Sequence, residues 1–132
     1  MLLEAMEEAE RTKFAETQVA PKKLTIEHTM PQGWRENWPL PEELIADDRD
    51  RAIHRIGNLT LLNHRLNPYQ SNRPWIDNAN PKEGKREILE DHSVLFLNKK
   101  LCDYDEWSEK QIDQRSTDLF VHALKVWPRV TL

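Results

Sequence analysis

This sequence has a single cysteine and no long hydrophobic run. Cys102 is the only cysteine, which excludes a disulfide framework and a zinc site built from paired cysteines. No apolar run approaches the roughly 20 residues that a membrane-spanning helix needs, and the acidic N-terminus lacks the layout of a signal peptide. We therefore expect a cytoplasmic protein that holds no zinc and contacts no membrane.

Basic charge is also scarce for a protein that binds nucleic acid. The chain has 19 Lys and Arg against 23 Asp and Glu, which gives a formal net charge of −4. Contacts with phosphate need Lys and Arg, so either the basic residues cluster on one face or another module holds the nucleic acid. We expect a mixture of both. The sequence also has no Walker motif, so any nucleotide binding belongs elsewhere.

The length and the hydrophobic content of the sequence indicate one small folded domain. The chain has 132 residues, of which 38% are hydrophobic, and it contains five tryptophans. A chain of this length supports a single core, in which tryptophans are large anchors. We interpret Trp34 and Trp38 as lids over that core, with base-stacking platforms as the less favoured alternative.

The hydrophobic pattern predicts an α+β fold that is mainly helical. Two strands are predicted, at 22–28 and 58–62, and a helix opens at 63–67. Further helices are predicted at 1–18, 41–56, 85–90 and 107–127. Gly57 is expected to end the second of these, and Ser108 with Gln111 is expected to form a capping box at the start of the last. The predicted buried face of the first helix is formed by Leu2, Ala5, Met6 and Ala9, and that of the last by Trp107, Ile112, Leu119, Phe120, Ala123, Leu124 and Trp127.

Two short blocks and one asparagine contain the residues that are suited to catalysis and metal binding. Ile26 to Gln32 reads IEHTMPQ and places Glu27 beside His28 at the end of the first strand. Gly57 to Leu62 reads GNLTLL, and Asn67 follows nine positions after Asn58. An imidazole that titrates near neutral pH is a suitable general base, and carboxylate and amide oxygens are ligands for a hard metal ion.

These blocks resemble the HNH, or His-Me finger, nucleases, and more closely the C-terminal nuclease domain of GmrSD-type modification-dependent restriction enzymes. The resemblance implies a ββα-metal core at about residues 22–72 with flanking helices, and a C-terminal helical part at 82–128. The nuclease domain would span 21–132. Residues 1–20 would form a helix that can join it to an upstream module.

The resemblance also implies the roles of individual residues. His28 would be the general base, and Glu27 and Asn67 would bind Mg²⁺ or Mn²⁺. Asn58 would belong to the catalytic centre by tying the two strands together and fixing the loop that bears the histidine. The implied partners are double-stranded DNA and an upstream module that resembles an NTPase and senses modified DNA.

The residues that contact phosphate are less clearly marked. Four candidates are Arg73, Lys82, Lys85 and Arg115, and each has the alternative of being solvated or ion-paired. The family has a lysine a few residues after the aromatic that is Trp75 here, and this chain has Asn78 at that spacing. Lys82 or Lys85 would replace it. His54 and His64 flank the second block, and we interpret both as surface histidines in preference to metal or phosphate ligands.

Two functions remain open from the sequence. The leading hypothesis is a metal-dependent DNA endonuclease of a phage-defence restriction system. The alternative is a catalytically inactive DNA-binding or interaction domain that retains the ββα scaffold, which the acidic balance and the displaced lysine favour. Cleavage of RNA by the same site is a third possibility.

Overall fold

The computed structural model describes residues 2–14, 24–63, 65, 72–93 and 95–126, with the backbone alone at 11–14. Within these ranges the fold is α+β and mainly helical, as predicted. The helices are α1 (Leu2–Phe14), α2 (Ala46–Ala52), α3 (Lys85–His92), α4 (Phe96–Leu101) and α5 (Glu109–Val126). The strands are β1 (Leu24–His28) and β2 (Leu59–Asn63), and short 3-10 helices lie at Ile56–Asn58 and Pro81–Glu83.

The two strands form one antiparallel sheet, in which Leu24 pairs with Asn63 and His28 pairs with Leu59. The sheet is buried on the side of β2, where Leu61 and Leu62 are each 1% exposed, whereas Ile26 on β1 is 46% exposed. β1 is thus the accessible edge of the sheet. The prediction that a helix opens at residue 63 is wrong, because Asn63 is the last residue of β2. The rest of 63–67 lies largely outside the described ranges, so the complete ββα-metal core stays a prediction.

Four tryptophans belong to the larger hydrophobic cluster, which also contains Met30, Ile53, Leu62 and Ile112. The side chains of Trp34, Trp38, Trp75 and Trp107 are at most 6% exposed, which confirms that Trp34 and Trp38 are core residues. Each indole N–H also donates a hydrogen bond, so the polar edge of the ring is satisfied inside the core. Trp127 lies outside the described residues.

A second cluster lies between α1, β2 and the helices α4 and α5, and it contains Leu3, Met6, Leu61, Leu95, Leu97 and Leu119. Glu7 is 2% exposed, and its carboxylate accepts the backbone N–H groups of Phe96 and Leu97 at 3.1 and 2.9 Å. It therefore caps α4 from a distant part of the chain. The predicted face of α1 needs correction, because its buried stripe is Leu3, Met6, Glu7 and Glu10, while Leu2, Ala5 and Ala9 are only partly buried.

The helix predicted at 41–56 is shorter in the structure. Residues 41–44 form a turn in which the N–H of Leu44 donates to the carbonyl of Pro41, and Ile45 is extended, so α2 begins at Ala46. It ends at Ala52, well before Gly57. Gly57 lies instead in the 3-10 helix that leads into β2, where a Cβ atom would approach the carbonyl oxygen of Ile112 to 2.0 Å. The glycine allows α5 to pack closely against the start of β2.

α5 begins at Glu109, and the side chain of Gln111 accepts the backbone N–H of Ser108 at 3.0 Å, which is the reciprocal half of the predicted capping box. Its buried stripe contains Ile112, Arg115 and Leu119. The predicted burial of Phe120 and Leu124 is wrong, since they are 63% and 48% exposed. Arg115 lies on the buried stripe between Ile112 and Leu119, although it is a charged residue. None of the described helices has both the length and the apolar character needed to cross a membrane.

Replacing Gly57 by alanine tests this packing. We expect Gly57→Ala to lower the free energy of unfolding by about 1–3 kcal/mol, because the added methyl group meets backbone atoms of α5 that cannot move independently. Chemical denaturation monitored by tryptophan fluorescence would measure the change. Gly33→Ala is the matched control, because there the methyl group meets only the side chain of Asn72, at 2.9 Å. Equal losses in the two variants would contradict the proposed packing.

Candidate active site

His28 is the last residue of β1, and the chain leaves the sheet directly after it. Its pairing with Leu59 completes the strand register, and the next residues, Thr29 and Met30, form a bend that is buried. The strand thus ends at the histidine, as the sequence predicts. The imidazole is partly buried at the edge of the sheet.

Asn58 holds this bend by its side-chain amide. Its Oδ1 accepts the N–H of Met30 at 2.8 Å and the indole N–H of Trp107 at 3.0 Å. Its Nδ2 donates to the carbonyls of Met30 at 2.9 Å and Ile53 at 2.8 Å, and its own carbonyl accepts the N–H of Thr29 at 2.8 Å. The side chain is fully buried, so both lone pairs and both amide protons are used within the protein. Asn58 therefore fixes the backbone that directly follows His28.

Lys85 supports the same bend from the other side. It is fully buried, and its Nζ donates to the carbonyls of His28 at 3.1 Å and Thr29 at 2.7 Å. Burial lowers the pKa of Lys85 to about 8, and the nearby Glu27 carboxylate opposes this shift. The start of α3 fixes the position of this lysine, since the N–H of Lys85 donates to the carbonyl of Pro74 at 2.9 Å.

Glu27 lies next to His28 on β1 and is partly buried. Burial raises its pKa above the ordinary value, while the ammonium of Lys85 and the backbone N–H of His28 lower it. Neighbouring side chains on a regular strand point to opposite faces, so a common site for Glu27 and His28 depends on the strand ending at the histidine. The charge of Lys85 acts on the pKa of both residues, which indicates that both lie near the same ammonium.

His54 lies against His28, which the sequence did not indicate. Nε2 of His28 is 3.2 Å from Nδ1 of His54, and the two rings are nearly perpendicular with centroids 5.2 Å apart. The pKa of His28 is lowered first by burial and then by the positive charges of His54 and Lys85. At neutral pH these effects favour the neutral imidazole, which is the form that accepts a proton.

The four candidates for phosphate binding lie in different environments. Arg73 pairs with Glu83 at 3.2 Å, and Lys82 is an exposed lysine 3.9 Å from Asp91. Their contact with DNA stays a prediction.

Lys85 and Arg115 are instead enclosed by the protein. Arg115 is 5% exposed, and its Nη1 donates to the carbonyls of Gly57 at 2.8 Å and Leu59 at 2.7 Å. Direct contact of Lys85 or Arg115 with a phosphate is therefore not supported, because neither charge reaches the surface and both donate to backbone carbonyls. Lys82 and Lys85 are the two predicted replacements for the family lysine. Of these, Lys85 contacts the backbone of His28 and Thr29.

The predicted metal ligand Asn67 and the histidine His64 lie outside the described residues. Among the residues that the structure does describe, no group of three or more His, Cys, Asp or Glu side chains converges to hold a metal ion. The described part of the candidate site therefore consists of Glu27, His28, His54 and Asn58.

The buried ammonium of Lys85 predicts a specific pH dependence of stability. Its pKa is about 8 in the folded protein against 10.5 for the ordinary side chain, so between these values the unfolded chain binds a proton that the folded chain has released. The free energy of unfolding should therefore rise as the pH increases from about 8 to 10.5, by on the order of 3 kcal/mol in total. In the Lys85→Met variant this contribution should be absent.

Urea denaturation on both sides of the interval would measure the rise. Lys82→Met is the matched control, since its side chain is 83% exposed and should leave the pH dependence unchanged. If the Lys85→Met variant kept the full pH dependence of the parent, the buried ammonium would be excluded as its source.

Comparison with known proteins supports the sequence resemblance. A family model described as "GmrSD restriction endonucleases, C-terminal domain" matches residues 1–121, which include both strands, α1 to α4 and most of α5. No curated protein and no solved structure matches the chain. The blocks around His28 and Asn58, which form the bend at the end of β1, both lie within the match. The chain therefore belongs to the family of C-terminal domains of GmrSD restriction endonucleases.

Proposed function

We propose that this domain is the metal-dependent DNA endonuclease module of a restriction system, with His28 as its general base and a site of the HNH type. Membership of the family indicates a nuclease that acts on DNA. The observation that carries the finer assignment is the position of His28, whose imidazole lies at the accessible edge of the sheet on a backbone that Asn58 and Lys85 hold from two sides.

The chemistry of the reaction needs a fixed base of this kind. Hydrolysis of a phosphodiester requires a water molecule that loses its proton as it attacks phosphorus in line with the leaving oxygen. His28 can take this proton, because its lowered pKa favours the neutral ring. The hydrogen bonds to Met30 and Thr29 restrict the backbone next to the ring, so little orientational freedom is lost when the substrate binds.

Glu27 and Asn67 would hold the metal ion. A carboxylate and an amide are hard oxygen donors, and this donor set fits Mg²⁺ or Mn²⁺ and does not suggest zinc. The partly buried carboxylate of Glu27 has a raised pKa, and a cation at its side would favour the charged form. When bound, the ion supplies positive charge that stabilises the developing charge on phosphate oxygens.

The substrate that we propose is double-stranded DNA, held mainly by another module. The chain has a formal net charge of −4, and the charges of Lys85 and Arg115 are used inside the domain. Arg73 and Lys82 remain as candidates for contact with the phosphates. An upstream sensor module of the NTPase type, in the same chain or a partner chain, would supply both recognition of modified DNA and most of the affinity.

A plasmid-nicking assay tests the proposal. We expect the protein to nick supercoiled plasmid with Mg²⁺ or Mn²⁺, and excess chelator to abolish the activity. His28→Ala should lower the rate by about 100-fold or more, since general base catalysis contributes 10²- to 10⁴-fold in enzymes. His92→Ala is the matched control, because His92 is an exposed histidine at the end of α3. Unchanged nicking by His28→Ala, or an intact plasmid with both metals, would refute the assignment.

A non-catalytic domain is the second candidate function, and it is favoured by the acidic net charge and by the enclosure of Lys85 and Arg115. A measurement of metal binding distinguishes the nuclease from the non-catalytic domain. Calorimetry with Mn²⁺ should show one site in the parent, and Glu27→Gln and Asn67→Ala should each weaken it by at least tenfold. Glu43→Gln is the control, because Glu43 is an exposed carboxylate before α2. A parent that binds no Mn²⁺ would favour the non-catalytic function.

A further inference from the structure

We propose that His54 is a positioning residue, which orients the imidazole of His28 and determines which nitrogen of that ring accepts the proton of water. This inference rests on the proposed role of His28 and assigns a role to a histidine that the sequence treats as a surface residue. It starts from one contact, the 3.2 Å separation between Nε2 of His28 and Nδ1 of His54.

The geometry of the contact is that of a hydrogen bond between rings. The planes cross at 86°, so the rings do not stack, and a ring nitrogen of each faces the other. One nitrogen must donate and the other must accept, since two N–H groups or two lone pairs at 3.2 Å would repel. When both rings are neutral, the contact therefore requires a defined tautomer of each ring.

One assignment of the protons agrees with the chemistry of both rings. The Nε2–H tautomer is the commoner form of a neutral imidazole. If His28 donates from Nε2, then His54 accepts at Nδ1 and carries its own proton on Nε2, so both rings have the common tautomer. The opposite direction would place both rings in the less common form. In the favoured arrangement Nδ1 of His28 keeps its lone pair and is the atom that takes the proton of water.

The backbone beside both histidines is fixed by the same side chain. Nδ2 of Asn58 donates to the carbonyl of Met30, which lies two residues after His28, and to the carbonyl of Ile53, which directly precedes His54. The N–H of His54 also donates to the carbonyl of Arg51 at 3.2 Å, in the turn that follows α2. The two rings therefore meet because one buried amide holds both segments, although the rings themselves are accessible to solvent.

The charged groups around the two rings include a carboxylate on α2. Asp50 precedes His54 by one helical turn, and its oxygen accepts the indole N–H of Trp34 at 2.8 Å. The hydrogen bond from Trp34 is the main cause of the lowered pKa of Asp50, and the charge of His54 has a smaller effect in the same direction. Arg35 also faces this carboxylate, at 3.4 Å, and Lys85 is the other charged group whose field reaches His28.

Kinetics of three His54 variants test the inference. His54→Ala should lower kcat for plasmid nicking by about tenfold or more and leave KM within about twofold, because ring orientation affects the chemical step and not DNA binding. His54→Asn should recover most of kcat, since its amide oxygen can occupy the place of Nδ1 and accept the N–H of His28. His54→Gln, which is one methylene longer, should recover less. His92→Ala serves again as the control.

The outcomes separate this inference from the proposed function. If His54→Ala cuts as fast as the parent while His28→Ala does not cut, the inference fails and the proposed function stands. If His54→Asn is as slow as His54→Ala, the loss has another structural cause, and the inference fails. If the parent and every variant leave the plasmid intact, the proposed function fails, and the ring contact is then decided by a measurement that needs no activity.

That measurement is NMR of the ¹⁵N-labelled imidazoles. We expect the ¹⁵N chemical shifts of the neutral rings to show the proton of His28 on Nε2 in the parent and a mixture of both tautomers in His54→Ala. A proton on Nδ1 of His28 in the parent, or the same tautomer populations in both proteins, would overturn the assignment of the tautomer and the proposed contact.

Discussion

The side-chain amide of Asn58 is the interaction on which the rest of the site depends. It joins three parts of the chain that are distant in sequence, through Met30 after β1, Ile53 after α2 and Trp107 before α5. A buried amide that makes all of its hydrogen bonds favours one arrangement, because any displacement leaves a donor or an acceptor unsatisfied. The catalytic histidine that we propose therefore lies directly before a bend that this amide holds in place.

Buried charges extend this constraint to both strands. Lys85 donates to the carbonyls that follow β1, and Arg115 donates to the carbonyls on either side of Asn58, at the start of β2. Enclosing two cations is costly, and donation to two carbonyls each offsets part of that cost. These side chains would otherwise be available to bind phosphate. The domain thus uses part of its basic charge to hold the shape of its site, which agrees with a division of labour in which another module binds the DNA.

The sequence predicted those features that depend on local pattern. Both strands, the helix at Lys85, the capping residues Ser108 and Gln111 and the burial of Trp34 and Trp38 follow from spacing and residue type, and the structure confirms them. The two blocks IEHTMPQ and GNLTLL indicate the family, because the combination of both blocks at this separation is specific to it.

The features that sequence reasoning missed arise from contacts between distant segments. The cap of Glu7 on α4 joins residues about ninety positions apart, and His28 and His54 are separated by 26. Arg115 takes an inward position on α5 because carbonyls of another segment face it there, which the apolar pattern of the helix does not show. The sequence predicts Gly57 as a helix end, whereas the structure needs a glycine there because the backbone of α5 leaves no room for a Cβ atom. No local pattern carries such information.

The central claim is that the bend held by Asn58 places His28 beside a metal ion bound by Glu27. Anomalous diffraction from a crystal soaked in Mn²⁺ tests it most directly. The account predicts one strong peak within coordination distance of a Glu27 carboxylate oxygen, on the same side of the sheet as the His28 ring. A peak elsewhere with none at Glu27, or an imidazole of His28 directed away from the bound ion, would contradict the account.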